Sequence, residues 1–574
     1  MEIVYLIIDK SVFFRGTILN MSDNLTHFKY AVIGAGVAGT YCAWRLKKNN
    51  PKDNVALFEY SDRIGGRLLT THLPEIPNVN AELGGMRFIP NIQPLITSLI
   101  GKLGLATRKF SMGTEEDRSG LKNYAYLRGK YLRIGEMNDS KKIPFNVNWC
   151  FRNMNPDQIQ TQVMKLLVPN WKELSLDDWF NVEVFGKPLW EYGFWNLLFR
   201  VLDSDTYAFL KYGSGYDTNV SNGNAVTLLP TGGEYISTVD YMTLVDGMDA
   251  LPKKLVEEFQ RETDRSAFLN HRLARIHRQE NGVYHLEFVR THTTANRETK
   301  DIEPDERYFC LTDHIILAMP RRSLELIEWD CWKKNEFLRQ NLDSVLIQGA
   351  IKIFLAYEYA WWTGLGFGAG RSITDLPIRQ TFYFSESDNI SNKRSLLMAS
   401  YSDLESLPFW KGLEDKGLKR ALIAKRDANN GDANNEFESK FLPGPEGHRI
   451  SRLMVNETHR QIVELHGLKE LEKPYAAAYQ DWSKDPFGGA WHSWKGGFKY
   501  NDIMPRMLHP VPQENVYICG EAYSNDQGWA EGALETAELV LTKKLKIPPL
   551  KDVSETWSPD PLKRMRYPSW FSQG

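Results

Sequence analysis

The first clear signal along the chain is a short apolar run that ends in a glycine-rich turn and is followed by a helical pattern. Residues 28–33 (FKYAVI) form a short, mainly apolar run that contains Lys29, and after the turn Ala38, Cys42 and Leu46 recur at four-residue steps. That spacing predicts a helix, because such steps keep side chains on one helix face. A second apolar run at 54–58 predicts the next strand. The sequence therefore opens with a strand–helix–strand unit.

The remaining pattern predicts helices in the middle of the chain and strands on both sides of it. Residues 136–229 read as mostly helical, including the aromatic segment 190–199. The stretch 427–447 repeats a DANN unit and is rich in Asn, Gly and Pro, which predicts a surface loop. Strands are predicted at 281–290, 307–318, 345–357, 380–384, 395–401 and 515–519, before a closing helix at 529–544. Strand–helix turns at both ends of the chain predict a discontinuous α/β domain.

The first turn matches the spacing G-x-G-x-x-G between a strand and a helix. Gly34 allows the tight turn, Gly36 lets the backbone approach a diphosphate, and Gly39 lets the helix pack on the strand. The helix N-terminus adds free N–H groups and the positive end of the helix dipole. Glu59 ends the next strand, where a carboxylate accepts hydrogen bonds from a ribose diol and repels the 2′-phosphate of NADP. The turn therefore predicts NAD or FAD.

Two further glycine pairs favour FAD over NAD. Residues 62–67 (DRIGGR) set a second glycine turn between two arginines, whose planar forks suit a buried diphosphate. Gly84 and Gly85 allow the backbone to approach a flat ring closely. Arg87 follows in an apolar neighbourhood and needs an anion, which is either a ligand or an internal partner such as Glu82.

A second strand–turn–helix unit lies near the C-terminal end of the chain. Residues 515–519 lead into Gly520 and Glu521, and the segment 528–533 (GWAEGA) opens the last helix. A helix N-terminus directed at a flavin would stabilise the negative charge that develops when the flavin is reduced. Glu521 can accept hydrogen bonds from cofactor hydroxyls. Such joins are common, so this one supports FAD only together with the first turn.

The composition is that of an ordinary globular protein and argues against several classes. Among 574 residues, 70 Lys and Arg against 72 Asp and Glu leave a net charge of −2, so no overall basic field recruits nucleic acid. The chain contains no run of about 18 apolar residues, so no integral membrane segment is predicted. Five cysteines without a C-x-x-C pair argue against a zinc site or a disulfide framework. We expect all five thiols to be buried.

Residues 1–27 precede the first predicted strand. The apolar start is interrupted by Asp9 and Lys10, and it lacks the basic region and the cleavage site of a signal peptide. It is also too short to cross a bilayer. We interpret these residues as an N-terminal extension, with Met21 as a second plausible start, and we expect a cytoplasmic protein.

The ordered motifs resemble the flavin amine oxidase superfamily, and within it the L-amino acid oxidases. The matching segments are VIGAGVAG (32–39), FEYSDRIGGR (58–67), ELGGMRF (82–88), VDGMDALP (245–252), KIFL (352–355), DPFGGAW (485–491) and GWAEGA (528–533). This resemblance implies an α/β fold. It consists of a two-dinucleotide-binding, Rossmann-like FAD domain with a mixed-sheet substrate domain and a helical insert.

The same resemblance implies how the domains divide the chain. The helical insert would be 136–229, and the chain would end in a C-terminal tail at 546–574. Relatives often pair, so a homodimer is one expectation, but the oligomeric state cannot be read from the sequence. The FAD domain would be built from 28–75, 244–320 and 510–545, and the substrate domain from 76–135, 230–243 and 321–509.

The resemblance also assigns the contacts with FAD. Leu273 stands where the family reads adenine through its backbone. Ala490 stands where monoamine oxidases carry the cysteine that bonds the flavin, so FAD is expected to be non-covalent. No metal is implied. The cofactor contacts would be Gly34, Gly36, Val37, Ala38, Gly39, Glu59, Tyr60, Arg67, Gly84, Gly85, Met86, Arg87, Leu273, Gly520, Glu521, Gly528, Trp529 and Ala530.

Five residues are implied to act on the substrate. Arg87 would hold the α-carboxylate bidentately, and Tyr383 would donate to the same group unless its ring lies in the core. Lys352 aligns with the lysine that holds a water against flavin N5. Trp491 and Trp529 would frame the amine, unless they are ordinary core residues. The insert contains no histidine, so the histidine base that some relatives draw from it is missing.

The implied reaction is oxidative deamination of an L-amino acid, with hydride transfer to flavin N5. Its products are a 2-oxo acid, ammonia and, from molecular oxygen, hydrogen peroxide. An L-amino acid 2-monooxygenase shares the arginine and forms an amide by oxidative decarboxylation, whereas an amine or polyamine oxidase needs no carboxylate.

The sequence leaves open which substrate side chain is preferred. Asp217 and Asp526 would suit a cationic substrate, and Tyr212, Tyr216 and Trp195 would suit an aromatic one.

Overall fold

The structure is a computed structural model that describes most of the chain. The loop predicted at 427–447 lies largely outside the described residues, as does the C-terminal tail beyond residue 550. The described residues are 7–8, 11–14, 17–20, 25–113, 117, 120–230, 240–262, 267–294, 298–302, 304, 306–386, 393–414, 442–445, 447–484 and 487–550.

The strands confirm the predicted ones in type and approximate position, and add several more. In chain order they are β1 Ile7–Ile8, β2 Ser11–Phe14, β3 Thr17–Asn20, β4 His27–Ile33, β5 Val55–Phe58, β6 Thr70–Thr71, β7 Ala81–Glu82, β8 Thr107–Phe110, β9 Tyr124–Leu127, β10 Lys130–Arg133, β11 Glu183–Val184, β12 Lys187–Pro188, β13 Tyr241–Leu244, β14 His271–Arg278, β15 Tyr284–Thr293, β16 Thr299–Asp301, β17 Arg307–Ala318, β18 Val345–Gln348, β19 Ala350–Tyr357, β20 Arg371–Thr374, β21 Gln380–Glu386, β22 Ser395–Asp403, β23 Ala476–Asp481, β24 Trp491–Trp494 and β25 Val516–Cys519.

The first predicted helix is confirmed as Val37–Asn49, whereas the closing helix, predicted over 529–544, is α-helical over Ala530–Leu539 and continues as a π-helix over Val540–Lys544. The α-helices are α1 Val37–Asn49, α2 Pro94–Lys102, α3 Pro156–Leu167, α4 Leu176–Trp179, α5 Phe194–Leu198, α6 Ser204–Ser214, α7 Ala225–Leu228, α8 Ala250–Arg261, α9 Arg321–Glu325, α10 Cys331–Lys334, α11 Glu336–Asn341, α12 Leu407–Gly412, α13 Arg452–Leu465, α14 Tyr500–Met507 and α15 Ala530–Leu539.

The first large sheet joins strands from distant parts of the chain. Its order is β14-β15-β17-β4-β5, with β25 beside β17, and β4 pairs in parallel with both β5 and β17. The long strand β17 pairs with β15 through its first half and with β25 through its second half. The carboxyl ends of β4, β17 and β25 therefore meet at one edge, where α/β sheets place their ligands.

Both faces of this sheet are covered, as the apolar run in β4 predicts. Tyr30 and Val32 pack into one hydrophobic cluster with helices α1, α8 and α15, whereas Ala31 and Ile33 pack into another on the opposite face. Alternate residues of a strand point to opposite faces, so a parallel strand buried on both sides is apolar throughout. This is why Tyr30, Ala31, Val32 and Ile33 follow one another without a charged residue, whereas Lys29, at the start of the strand, is partly exposed and pairs with Asp53 at 2.9 Å.

The second large sheet is mixed and lies beside the first. Its order is β10-β9-β20-β21-β22-β19-β23, and β9 and β20 run in parallel within it. All eight residues of β19 are buried, which explains its apolar sequence. The one charged residue in that strand, Lys352, is therefore held inside the protein.

The helical region 136–229 contains five α-helices, but the aromatic segment 190–199 is not one long helix. Gly193 breaks it, because Gly193 pairs with Asn224 in an isolated bridge and a Cβ there would lie 2.4 Å from the Asn222 side chain. Only Phe194–Leu198 is α-helical.

The expectation that all five cysteines are buried is wrong for Cys150, which is exposed, and for Cys331, which is only partly buried. Cys150 lies in a short 3₁₀ turn, Trp149–Phe151, where only Phe151 points into the core. In the described parts of the chain, no helix has the length and apolar character that a bilayer span requires.

Gly39→Ala tests the packing of α1 against the first sheet. A Cβ at residue 39 would lie 1.8 Å from the carbonyl oxygen of Gly34, so the backbone would have to move. We expect the free energy of unfolding in urea to fall by at least about 2 kcal/mol. Gly101→Ala is the matched control, since a Cβ there meets nothing within 4 Å and α2 gains a better helix former. Equal stabilities of the two variants would contradict this packing role.

Candidate active site

One long cavity lies at the carboxyl ends of the parallel strands, between the two large sheets and the helical region. All of the predicted site residues except Gly39 and Tyr383 line it. Those lining residues are Gly34, Gly36, Val37, Ala38, Glu59, Tyr60, Arg67, Gly84, Gly85, Met86, Arg87, Leu273, Lys352, Trp491, Gly520, Glu521, Gly528, Trp529 and Ala530.

Two helix N-termini open onto this cavity without side-chain caps. Helix α1 begins after Gly36 and helix α15 begins after Trp529, and neither N-cap side chain accepts a hydrogen bond from the first turn. Their free N–H groups can therefore bind anionic or electron-rich groups of a ligand. Gly36 also lies against Gly66, where a Cβ on Gly66 would come within 3.1 Å of the Gly36 Cα. The glycines leave room for a diphosphate between two turns of backbone.

Glu59 is fixed at the end of β5 by the backbone around it. Its carboxylate accepts hydrogen bonds from the Ala35 N–H at 2.8 Å and from the Ser61 N–H at 2.9 Å. Because the same side chain lines the cavity, its remaining acceptor positions face the ligand. This arrangement suits the ribose diol that the sequence predicts.

The two arginines of the second glycine turn have different roles. Arg63 donates to the carbonyl oxygens of Gly66 and Leu68, so it shapes the turn and is not directed at a diphosphate. Arg67 donates to Glu521 Oε2 at 2.8 Å and to the Ala490 carbonyl at 3.1 Å. The prediction that two guanidinium groups neutralise the diphosphate therefore needs correction, because only Arg67 lines the cavity.

Glu521 joins three segments beneath the cavity. Its Oε1 accepts the backbone N–H of His492 at 2.7 Å and that of Gly528 at 2.9 Å, and its Oε2 contacts His492 Nδ1 at 2.9 Å. Burial alone would raise the pKa of this carboxyl, but Arg67 and His492 hold the pKa at about 2. Glu521 is therefore charged, and it ties β24 to the turn before α15.

Arg87 is a buried cation for which the described part of the chain supplies no carboxylate within 4.0 Å. Its guanidinium carbon lies 4.0 Å from the centre of the Tyr241 ring, and its Nη1 lies 3.1 Å from the Met112 sulfur. Glu82, the internal partner considered from the sequence, is engaged by the Thr70 hydroxyl and the Met248 N–H. The free face of Arg87 lines the cavity and is available to an anion.

Lys352 reaches the cavity from β19. Its Nζ donates to the carbonyl oxygens of Glu82 and Gly84 and lies 4.6 Å from the centre of the Tyr401 ring. Burial lowers the pKa of Lys352 to about 7, with the Arg87 charge acting in the same direction and Glu82 opposing it. A lysine with a pKa near neutrality exchanges a proton readily at working pH.

Tyr383 is not brought to the cavity, which corrects the prediction of a phenol clamp at this residue. Its hydroxyl contacts Ser372 Oγ and His466 Nε2, and its ring packs in a separate hydrophobic cluster. Neighbouring strand residues point to opposite faces, and it is Phe382 that faces Arg87, with 5.9 Å between guanidinium carbon and ring centre. A phenol that does line the cavity is Tyr216, whose ring meets that of Tyr401 at 5.1 Å.

Trp491 and Trp529 both line the cavity and are partly exposed to it. Trp491 lies directly beside the last glycine turn, since a Cβ on Gly528 would be 3.8 Å from the Trp491 side chain. Indole rings in these places give the cavity flat apolar walls. Both indole rings therefore shape the space in which a ligand can bind.

Several lining residues of the helical region were not predicted from the sequence, among them Asp157, Gln160, Leu210 and Thr227. Helical periodicity shows which face of a helix is buried, but it does not show whether that face meets a core or a cavity. Of the side-chain candidates, Tyr216 and Asp526 line the cavity, whereas Tyr212, Trp195 and Asp217 do not. Asp217 forms an ion pair with Arg379 at 3.2 Å, which satisfies its charge.

The sequence model of the family described as flavin containing amine oxidoreductase matches residues 37–425. This chain belongs to that family. The oxidoreductase therefore uses FAD, and the cavity fits it, with two uncapped helix N-termini, a fixed ribose-side carboxylate and three glycine turns. The α/β FAD-binding fold expected from the motifs is confirmed. The predicted domain boundaries and the non-covalent binding of FAD stay predictions.

This amine oxidoreductase is similar to several named proteins along most of its length. Achacin from Lissachatina fulica is 28% identical over 533 residues, covering 89% of this chain and 92% of achacin. Aplysianin-A from Aplysia kurodai is 29% identical over 532 residues, covering 90% of each chain. The L-amino-acid oxidase of Demansia vestigiata is 21% identical over 525 residues, covering 88% of this chain and 85% of that protein.

Among solved structures, wild-type putrescine oxidase bound to putrescine superposes with a TM-score of 0.59 at 16% identity. The match covers 91% of this oxidoreductase and 99% of putrescine oxidase. At that identity the likeness supports the fold alone.

Glu521→Gln tests the buried charge cluster beneath the cavity. Because folding holds the pKa of Glu521 at about 2, against about 4.5 in an unfolded chain, the charge stabilises the fold above pH 4.5 and ceases to do so as pH falls towards 2. We expect the variant to lose roughly 3 kcal/mol of unfolding free energy at pH 7. The difference from the wild type should shrink between pH 5 and pH 3 in urea titrations.

The matched control for that prediction is Glu280→Gln, which removes an exposed carboxylate from a loop. It should leave the unfolding free energy within about 0.5 kcal/mol of the wild type. A difference between Glu521→Gln and the wild type that does not depend on pH would contradict the role of this charge.

Proposed function

We propose that this oxidoreductase is an L-amino acid oxidase, which deaminates its substrate oxidatively to a 2-oxo acid, ammonia and hydrogen peroxide. The observation that carries the proposal is Arg87. A guanidinium that is 8% exposed, surrounded by Tyr241, Met112 and Phe110, lines the same cavity as the cofactor residues.

Such a cation is costly to bury unless an anion joins it. Removing a charge from water without a partner costs several kcal/mol, and a carboxylate ligand recovers part of that cost through two parallel hydrogen bonds. A simple amine has no group for Arg87. An α-amino acid has a carboxylate one bond away from the carbon that is to be oxidised, so Arg87 would both bind and orient it.

When bound, FAD supplies the chemistry by accepting a hydride from the substrate Cα and passing the electrons to oxygen. Arg87 holds the carboxylate, and the walls formed by Trp491 and Trp529 exclude water and confine the amine. The amine must lose its proton before the hydride leaves. Lys352, with its pKa near 7 and its Nζ in the cavity wall, is placed to hold a water and exchange a proton there. Ala490 has no nucleophile, so we expect the flavin to be held without a covalent bond.

The similar proteins support this proposal in part. One relative that matches most of the chain is named an L-amino-acid oxidase. Putrescine oxidase shares the fold, so an oxidase of simple amines or polyamines is the second candidate. An L-amino acid 2-monooxygenase would use the same arginine and differ in its products.

The proposal is tested by incubating the purified flavoprotein with each of the twenty L-amino acids and with putrescine, spermidine and benzylamine. Peroxide is measured with a coupled peroxidase, and the organic products are identified by mass spectrometry. We expect peroxide and a 2-oxo acid in equal amounts from at least one L-amino acid. Carbon dioxide and an amide would identify a monooxygenase, and turnover of amines alone would identify an amine oxidase. Either result contradicts the proposal.

Arg87→Met separates binding of the substrate from folding. Loss of the guanidinium should reduce kcat/KM for an L-amino acid by roughly 2–4 kcal/mol of transition-state stabilisation. Because the buried cation has no carboxylate partner in the described residues, its removal should leave the melting temperature equal or higher. Arg108→Met, on exposed strand β8, is the control and should change neither quantity. An Arg87→Met variant that melts early, or that retains its kcat/KM, would contradict the role of Arg87.

A further inference from the structure

The helical region contributes one acidic side chain to the cavity that lacks a partner. Asp157 lines the cavity, and within the described chain no hydrogen-bond donor reaches its carboxylate and no cation lies within 4.0 Å of it. Its surroundings offer little water, since burial raises the pKa of this carboxyl to about 6. An ionised carboxylate that is shielded from water in this way raises the free energy of the protein unless a cationic ligand pairs with it.

The position of Asp157 at the start of α3 does not explain it. The N-terminus of α3 is already satisfied by a capping box, in which Asn155 and Gln158 each bind the backbone N–H of the other. No backbone N–H of this helix donates to the Asp157 carboxylate. The Asp157 side chain is therefore not needed to cap α3, and it lines the cavity instead.

The nearest cation does not neutralise Asp157. Arg371 is close enough to lower the pKa of Asp157 slightly, but its guanidinium donates to Gln380 Oε1 and lies 5.9 Å from the centre of the Tyr216 ring. Asp217, in the same region, shows the contrasting case, because Arg379 pairs with it directly. Asp217 is thus buried and paired, whereas Asp157 is partly exposed at the cavity and available to a ligand.

Asp157 and Arg87 line the same cavity, and the charges of both act on Arg371. Helix α6 ends at Ser214 beside the start of α3, where a Cβ on Gly213 would lie 2.6 Å from Pro156 Cγ. Two residues later Tyr216 lines the cavity, close enough for the charge of Arg87 to lower the pKa of its phenol, although burial raises it overall. A ligand that reached from Arg87 to Asp157 would meet a cation at one end and an anion at the other.

We propose that Asp157 is the specificity-determining residue, and that the preferred substrates are basic L-amino acids whose side chains end in an ammonium or guanidinium group. With the α-carboxylate on Arg87, the far cation of lysine or arginine pairs with Asp157. This inference rests on the proposed function, because Arg87 must first hold the α-carboxylate. It gives a role to an acidic side chain of the cavity that the oxidation itself does not use.

The test separates the two ends of the ligand with probes that the enzyme cannot oxidise. The probe 6-aminohexanoate is lysine without its α-amine, and hexanoate lacks the far cation as well. Their dissociation constants are measured with the wild-type holoenzyme, with Asp157→Asn and with Asp177→Asn, through the change in flavin absorbance. Asp177 is the matched control, since it is an exposed acid at the same place in the first turn of α4.

We expect the wild type to bind 6-aminohexanoate at least about tenfold more tightly than hexanoate. Asp157→Asn should abolish that difference, and Asp177→Asn should preserve it. The ratio of kcat/KM for L-lysine over L-norleucine should fall by a similar factor in Asp157→Asn alone. Norleucine turnover and the flavin content show that each variant is folded.

The inference is overturned if wild type and Asp157→Asn show the same preference between the two probes, or if norleucine is as good a substrate as lysine in the wild type. Failure of the proposed function looks different. In that case neither probe perturbs the flavin of the wild type, and no L-amino acid yields peroxide.

Discussion

A guanidinium buried without a carboxylate is the constraint around which this cavity is arranged. Arg87 packs on the face of the Tyr241 ring and donates one hydrogen bond to the Met112 sulfur, which leaves its other donors available to a ligand. Glu82 is directed away from it by Thr70 and Met248. Lys352 lies close enough that the Arg87 charge helps to lower its pKa towards neutrality. The cavity therefore presents a cation that can bind an anion, and the carboxylate of an amino acid is the anion that we propose.

The fold supplies the rigidity that such a site needs. Strands β4 and β25, from opposite ends of the chain, both pair in parallel with β17, so the first glycine turn and the turn before α15 lie at the same edge of the sheet and line one cavity. Glu521 ties β24, the last turn and Arg67 together through charged hydrogen bonds. No hydrogen bond or ion pair links this cluster to Arg87 among the described residues, so in the proposed reaction different charges would support the cofactor and the substrate.

Of the residues predicted to contact the cofactor all but Gly39 line the cavity, and of the five predicted to act on the substrate all but Tyr383 do. Cofactor contacts come from glycine turns, where residue type, spacing and backbone conformation are linked, and Gly34 and Gly520 have the positive φ angles that demand glycine. Tyr383 was misplaced because an aromatic pair in a strand, Phe382 and Tyr383, has no feature that tells which face each residue takes. Asp157 was missed because an acid in the first turn of a helix is common and usually meets solvent.

The central claim is that Arg87 binds the carboxylate of the substrate, and a crystal structure of the wild-type holoenzyme with benzoate tests it most directly. We expect both carboxylate oxygens within about 2.7–3.2 Å of the Arg87 guanidinium nitrogens, with the benzoate ring between Trp491 and Trp529. A benzoate bound elsewhere, or an Arg87 paired with a carboxylate of the protein itself, would contradict the account.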